Sequence, residues 1–140
     1  MELELNECVY KKIEELSKEG DLLLENAKAE EAIAKYKQAI ELLPSPVYIW
    51  EAATWLFTAI GDAYFMSKYY DLGLNNFFEA QKCPEGFGNP FTYLRIGQCF
   101  FEIKKHEKAR QYLLQAYMLD GEDVFTDSDP KYLEFINDLI

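Results

Sequence analysis

Residues 19–44 read EGDLLLENAKAEEAIAKYKQAIELLP, and residues 93–120 read YLRIGQCFFEIKKHEKARQYLLQAYMLD. Both hold a glycine, a small residue twelve later, a large one four beyond that and an alanine three further on. In the first copy these are Gly20, Ala32, Tyr36 and Ala39, and in the second Gly97, Ala109, Leu113 and Ala116. Working outward, a weaker copy over 57–84 carries Gly61, Gly73, Phe77 and Ala80. Four residues before each glycine stand Leu16, Phe57 and Tyr93, and three after it Leu23, Tyr64 and Phe100. Each copy ends on a helix breaker, Pro44, Pro84 or Gly121. Internal periodicity of this length marks a stacked array of supersecondary units. Each unit is expected to be two antiparallel helices that cross most closely at the glycine and the small residue. A large side chain there would force the helices apart, at about 1–3 kcal/mol. The large residues are expected to fill the space between one unit and the next.

Helix starts are signalled independently. Ser45-Pro46, Asn89-Pro90 and Asp129-Pro130 each place a capping residue before a proline suited to the first helical position. Together with the repeat register they predict helices over 3–26, 29–43, 46–66, 69–82, 90–103, 106–119 and 130–139. The spacing from Gly20 to Gly61 exceeds that from Gly61 to Gly97, and is read as an extra-long helix 46–66; the smaller excess falls in the loop 84–88. Leu5, Val9, Ile13 and Leu16 give the first helix an apolar stripe. Tyr132, Leu133, Phe135, Ile136 and Leu139 give the last segment the look of a cap over the end of the array.

These positions resemble the tetratricopeptide repeat family, over most of residues 14–121. The resemblance implies an all-α fold: three antiparallel helix pairs over about 13–44, 46–84 and 90–121, in a right-handed solenoid with a capping helix at 130–139, all within one domain. It implies that the first helix of each pair lines a concave groove that binds protein. Because residues three and four apart share a helix face, the groove face follows from the glycine register. Its candidate binding residues are Asp21, Glu25, Trp55, Asp62, Phe65, Phe91, Arg95, Gln98, Phe101 and Glu102. Aromatic anchors among polar residues suit a binding hot spot. One subset of the family clamps the terminal carboxylate of chaperone tails with Lys, Asn and Arg. Here those positions hold Ser17, Asp21, Asp62, Phe91 and Arg95. Only Arg95 fits, so that activity is not expected.

Composition narrows the partner. The 140 residues carry 14 Lys plus Arg against 25 Asp plus Glu, a net charge of −11. Such a surface repels nucleic-acid phosphates and anionic membranes and speeds association with a basic protein or peptide. A dedicated, basic protein partner is therefore expected. One concrete form is an immunity protein that neutralises a cationic toxin; the alternative is a secretion-type chaperone that holds an export substrate.

An enzyme is disfavoured, because no constellation of chemistry-bearing side chains emerges. The single histidine, His106, reads as an exposed turn residue without partners. Gly86-Phe87-Gly88 lacks the Lys-Ser/Thr of a phosphate loop. The acidic stretch 120–129 misplaces the glycine and glutamate of a calcium loop and reads as a solvated linker. Cys8, Cys83 and Cys99 form no close pair, so no metal, cofactor or disulfide is expected. Glu2, Glu4 and Glu7 stand where a signal peptide needs positive charge, and Glu51 and Asp62 break the most apolar stretch. A cytoplasmic protein is expected; the oligomeric state stays open.

Overall fold

The computed structural model describes residues 4–140, and the predicted start of the first helix at residue 3 lies outside them. Seven α-helices follow one another among these residues: α1 (Glu7–Glu25), α2 (Ala29–Glu41), α3 (Glu51–Met66), α4 (Tyr70–Gln81), α5 (Pro90–Glu102), α6 (His106–Asp120) and α7 (Pro130–Phe135). Each packs chiefly on its neighbours in sequence, giving the pairs α1/α2, α3/α4 and α5/α6. The all-helical array expected from the periodicity is present.

The glycines do what the register demands, against a different partner. A Cβ on Gly20 would lie 2.6 Å from a Tyr36 ring carbon, one on Gly61 2.7 Å from Phe77, and one on Gly97 2.7 Å from Leu113 Cγ. The large residues therefore lie across the glycine of their own pair, and Tyr36 and Phe77 also join clusters shared with the next pair, as expected. The small residue of the middle copy, Gly73, sits against the backbone carbonyl of Gly61. Ala32, Ala109, Ala39, Ala80 and Ala116 are fully buried.

The turn inside each pair also repeats. Seven residues after each crossing glycine, Ala27, Lys68 and Lys104 take positive φ of 61°, 66° and 65°. The next backbone N–H then reaches back to a helix carbonyl: Lys28 to Leu23 at 2.8 Å, Tyr69 to Tyr64 at 2.9 Å and Lys105 to Phe100 at 2.9 Å. This closure satisfies carbonyls that the helix end leaves open.

Asn6 caps α1 by accepting from the N–H groups of Cys8 and Val9. Asn89 caps α5, and Asp129 caps α7, as their Pro-containing signatures predict. Ser45-Pro46 does not start a helix. Pro46 is extended, a short 3-10 turn follows over Val47–Ile49, and α3 begins only after the extended Trp50. The Trp50 indole N–H donates to the Pro44 carbonyl at 2.7 Å, which pins this connection. The extra residues of the first interval thus lie in the connection between α2 and α3, and α3 is an ordinary helix of 16 residues. The loop before α5 turns tightly at Gly86, where a Cβ would meet the Ala80 carbonyl oxygen at 1.8 Å.

The chain after α6 departs from expectation. The acidic sequence of residues 120–129 predicts a solvated linker, yet a 3-10 turn over Gly121–Phe125 packs against α6 and α5 and buries Phe125 to 5% exposure. The last helix is shorter than predicted, ending at Phe135, with a 3-10 turn over Asn137–Leu139 after it. Ile136, between them, is completely buried.

The concave face as candidate binding site

The face one residue past each crossing glycine carries Asp21, Asp62 and Gln98, and each finds a different partner. Asp21 accepts the Tyr36 hydroxyl at 2.6 Å, because the ring that lies across Gly20 brings its oxygen to the next residue. The equivalent of Tyr36 in the middle pair is Phe77, which has no hydroxyl. Asp62 instead pairs with Arg95 on α5, whose Nε donates at 2.9 Å. Burial raises the Asp62 pKa above the ordinary aspartate value, against the opposing pull of Arg95.

Arg95 has further partners. Beyond Asp62, its Nη1 donates to Gln98 Oε1 at 2.8 Å. Its guanidinium lies 4.6 Å from the Phe65 ring centre and 5.0 Å from that of Phe91. Stacking of this kind stabilises a cation in a partly desolvated site by about 0.5–2 kcal/mol. Arg95 thus ties α3 to α5.

The C-terminal end of the face is covered by the chain itself. Gln98 is wholly buried, and its Nε2 donates to Ser128 Oγ at 2.9 Å. Glu102 accepts the Tyr132 hydroxyl at 2.6 Å and pairs with Lys131 at 2.7 Å. Burial alone would push the Glu102 carboxyl up, but these two partners outweigh it and hold the pKa below the usual glutamate value. Phe101 meets Tyr132 and Phe135 edge-on, at 5.3 and 5.0 Å between ring centres. His106, expected to stand alone in a turn, is exposed but rests its ring against Phe101 and Phe135. Gln98, Phe101 and Glu102, expected on the partner-binding face, therefore also pack against the C-terminal segment. Nothing in their own helix announces this, because the covering residues lie about 30 positions away.

The rest of the face is open. Trp55, 40% exposed, borders a cleft of about 440 Å³ with Glu51, Thr54, Thr58, Ala59, Asp62, Pro84, Glu85 and Asn89. Asp21, Glu25, Leu24 and Met66 line a second hollow beside it. Glu51 and Glu85 were missed as site residues: Glu51 lies one turn N-terminal to Trp55, and the loop before α5 swings Glu85 to the cleft edge. Of the predicted residues, Asp21, Glu25, Trp55 and Asp62 line the open part, and Phe65, Phe91 and Arg95 form the stacked junction beside it. Among the described residues there is no group of three or more His, Cys, Asp or Glu side chains placed to hold a metal ion, and no helix long and apolar enough to cross a membrane.

An array of paired helices with crossing glycines defines a helical-repeat fold. Residues 92–123 match the tetratricopeptide repeat family model, and the helix pairs have the fold of tetratricopeptide repeat domains. Among solved structures, the type III secretion chaperone SycD of Yersinia enterocolitica, in complex with a peptide of the translocator YopD, is similar over 96% of each chain, with a TM-score of 0.75 and 16% identity. The tetratricopeptide domain of Arabidopsis OM64 is similar over 94% of this chain and 99% of its own, with a TM-score of 0.73 and 14% identity. The second such domain of human RPAP3, in complex with the HSP70 peptide SGPTIEEVD, is similar over 94% and 97%, with a TM-score of 0.70 and 14% identity. Comparison with curated protein sequences gives no match.

Proposed function

We propose that this protein is an interaction module that takes an extended, basic segment of a partner protein along the open part of its concave face, from α1 across α3 to the loop before α5. The observation that carries this reading is the chemistry of the open face. Trp55, Leu24 and Met66 offer apolar contact, while Asp21, Glu25, Glu51 and Glu85 surround them with negative charge. The one arginine of the face, Arg95, is already held by Asp62, Gln98 and two rings. An acidic tail such as SGPTIEEVD, which the human RPAP3 domain holds, would here meet carboxylates and no free arginine. A basic segment meets complementary charge, which raises its association rate.

Glu25, Glu51 and Glu85 are all exposed, so they can be reversed without disturbing the core. The triple variant Glu25→Lys/Glu51→Lys/Glu85→Lys is expected to keep its helical circular dichroism. Its association rate with the partner recovered by affinity capture should fall by about tenfold or more and lose most of its salt dependence. An unchanged rate would remove the concave face from the reading.

The likeness to SycD, bound to a translocator peptide, supports a chaperone form of the same function, in which the occupant is an unfolded stretch of an export substrate. The immunity form requires a folded basic partner instead. Circular dichroism of the isolated partner separates the two.

A further inference from the structure

The third helix pair shows what its own groove position accepts. Phe101 and Glu102 stand four and five residues after Gly97. On them docks a consecutive basic–aromatic pair, Lys131 and Tyr132. The Lys131 ammonium lies 2.7 Å from Glu102 Oε1 and 5.5 Å from the Phe101 ring centre. The Tyr132 hydroxyl donates to the same carboxylate oxygen at 2.6 Å, and its ring stands edge-on to Phe101. One carboxylate and one apolar side chain, adjacent in the helix, thus hold a cation and an aromatic ring that are adjacent in the bound segment.

The same offsets from Gly20 give Leu24 and Glu25. The combination recurs at this end of the array, and there it is open. Asp21, Leu24, Glu25 and Met66 line a hollow of about 290 Å³, with Met66 61% exposed. The middle pair has Phe65 and Met66 at these offsets and no carboxylate. The recognition element is therefore present twice, once occupied by the chain's own C-terminal segment and once free.

We infer that the hollow formed by Asp21, Leu24, Glu25 and Met66 is a subsite for a Lys–aromatic dipeptide of the partner's segment, bound as Lys131 and Tyr132 are bound on Phe101 and Glu102. This rests on the groove reading above and specifies what one part of the groove selects. The cation pairs with Glu25, and Asp21 adds negative charge although one of its oxygens is taken by Tyr36. The aromatic ring packs on Leu24 and the Met66 thioether, a favourable contact for a ring edge. Leu24 replaces the ring of Phe101, so the cation has no aromatic face to lie on. An exposed ion pair alone binds weakly, and the subsite therefore needs both residues of the dipeptide.

The test uses the full chain and three blocked six-residue peptides in a Gly/Ala background, containing Lys-Tyr, Lys-Ala or Glu-Tyr. Amide shifts are followed by NMR at low salt. The Lys-Tyr peptide is expected to shift Leu24, Glu25 and Met66, and to bind at least about threefold more tightly than either control. Glu25→Gln, an isosteric change at an exposed position, is expected to erase that preference. Equal binding of the three peptides, or an undiminished preference in Glu25→Gln, overturns the subsite. Shifts confined to residues 54–62 and Glu85 also overturn it while leaving the groove reading standing. The groove reading itself falls only if the triple charge reversal leaves partner binding intact.

Discussion

At the N-terminal end of the concave face, the side chains at positions one, four and five past the glycine are Asp21, Leu24 and Glu25, and they border solvent. At the C-terminal end the same positions are Gln98, Phe101 and Glu102, and all three are engaged by residues 128–135. The two ends share a register and a backbone geometry, down to the left-handed turn residues Ala27 and Lys104. They differ in what the chain does afterwards. After α2 it crosses to α3 by way of Trp50 and leaves the face clear; after α6 it folds back and lies on α5. A repeat position thus specifies a direction, and the availability of the side chain there depends on sequence outside the repeat.

Three measurements can break or sharpen this contrast. The largest effect is expected from Tyr132→Ala. It removes a side chain that is 5% exposed and packed on Phe101, and losses of this kind cost about 3–5 kcal/mol. Urea unfolding monitors it, and a loss below about 1 kcal/mol, the scale of an ordinary surface change, would mean that the C-terminal segment merely rests on α5. A smaller effect separates Gly97→Ala from Gly20→Ala. The new methyl at 97 would meet Leu113 Cγ at 2.7 Å and its backbone nitrogen at 2.9 Å, whereas at 20 its three nearest neighbours are ring atoms of Tyr36. Overpacking costs about 1–3 kcal/mol, and Gly97→Ala is expected at the upper end because backbone has nowhere to go. Equal losses at the two sites would show that the pairs are equally tight.

The smallest effect is in the acid range. The folded pKa of Glu102 lies below its ordinary value, so its contribution to stability is present above the ordinary glutamate pKa of about 4.3 and is lost as pH falls through the folded value. Wild type and Glu102→Gln should therefore differ most near neutral pH and converge in acid. The raised pKa of Asp62 acts in the opposite sense, costing stability as pH rises past the ordinary aspartate value, and is common to both proteins. Parallel curves would show that the Lys131 and Tyr132 contacts to Glu102 contribute nothing to folding.

The crossing glycines were legible because tight packing excludes almost every other residue, and Asn89-Pro90 and Asp129-Pro130 because a side-chain oxygen and a proline both favour a helix start. Ser45-Pro46 carries the same letters without the same outcome. Trp50, held to the Pro44 carbonyl, determines where α3 begins, and an indole hydrogen bond to backbone leaves no pattern in sequence. The turns at Ala27, Lys68 and Lys104 were invisible for a related reason: left-handed backbone is read from glycine or asparagine, and none stands there. Trp55, Asp21, Glu25 and Asp62 follow from helical register once the first helix of each pair is taken to line a groove, and they border the open clefts. Gln98, Phe101 and Glu102 satisfy the same register, but Gln98 is held by Ser128, in the stretch 120–129 whose acidity reads as solvated chain, and Phe101 and Glu102 by Tyr132, in a capping segment whose contacts no repeat position specifies.

Trp50 and Trp55 are the protein's two tryptophans, and both belong to the approach to α3 or to α3 itself. Trp50 is partly buried and hydrogen-bonded, while Trp55 stands at the edge of the open cleft. Selective excitation of indole therefore samples the middle of the array, and the C-terminal pair, furnished with tyrosine and phenylalanine, stays dark. Emission shifted by an occupant of the cleft would come from Trp55 above a steady Trp50 background. Loosening of residues 121–135 would leave that emission unchanged and register in the tyrosine bands of near-ultraviolet circular dichroism. The two ends of the molecule can thus be followed in the same cuvette at different wavelengths, without any added label.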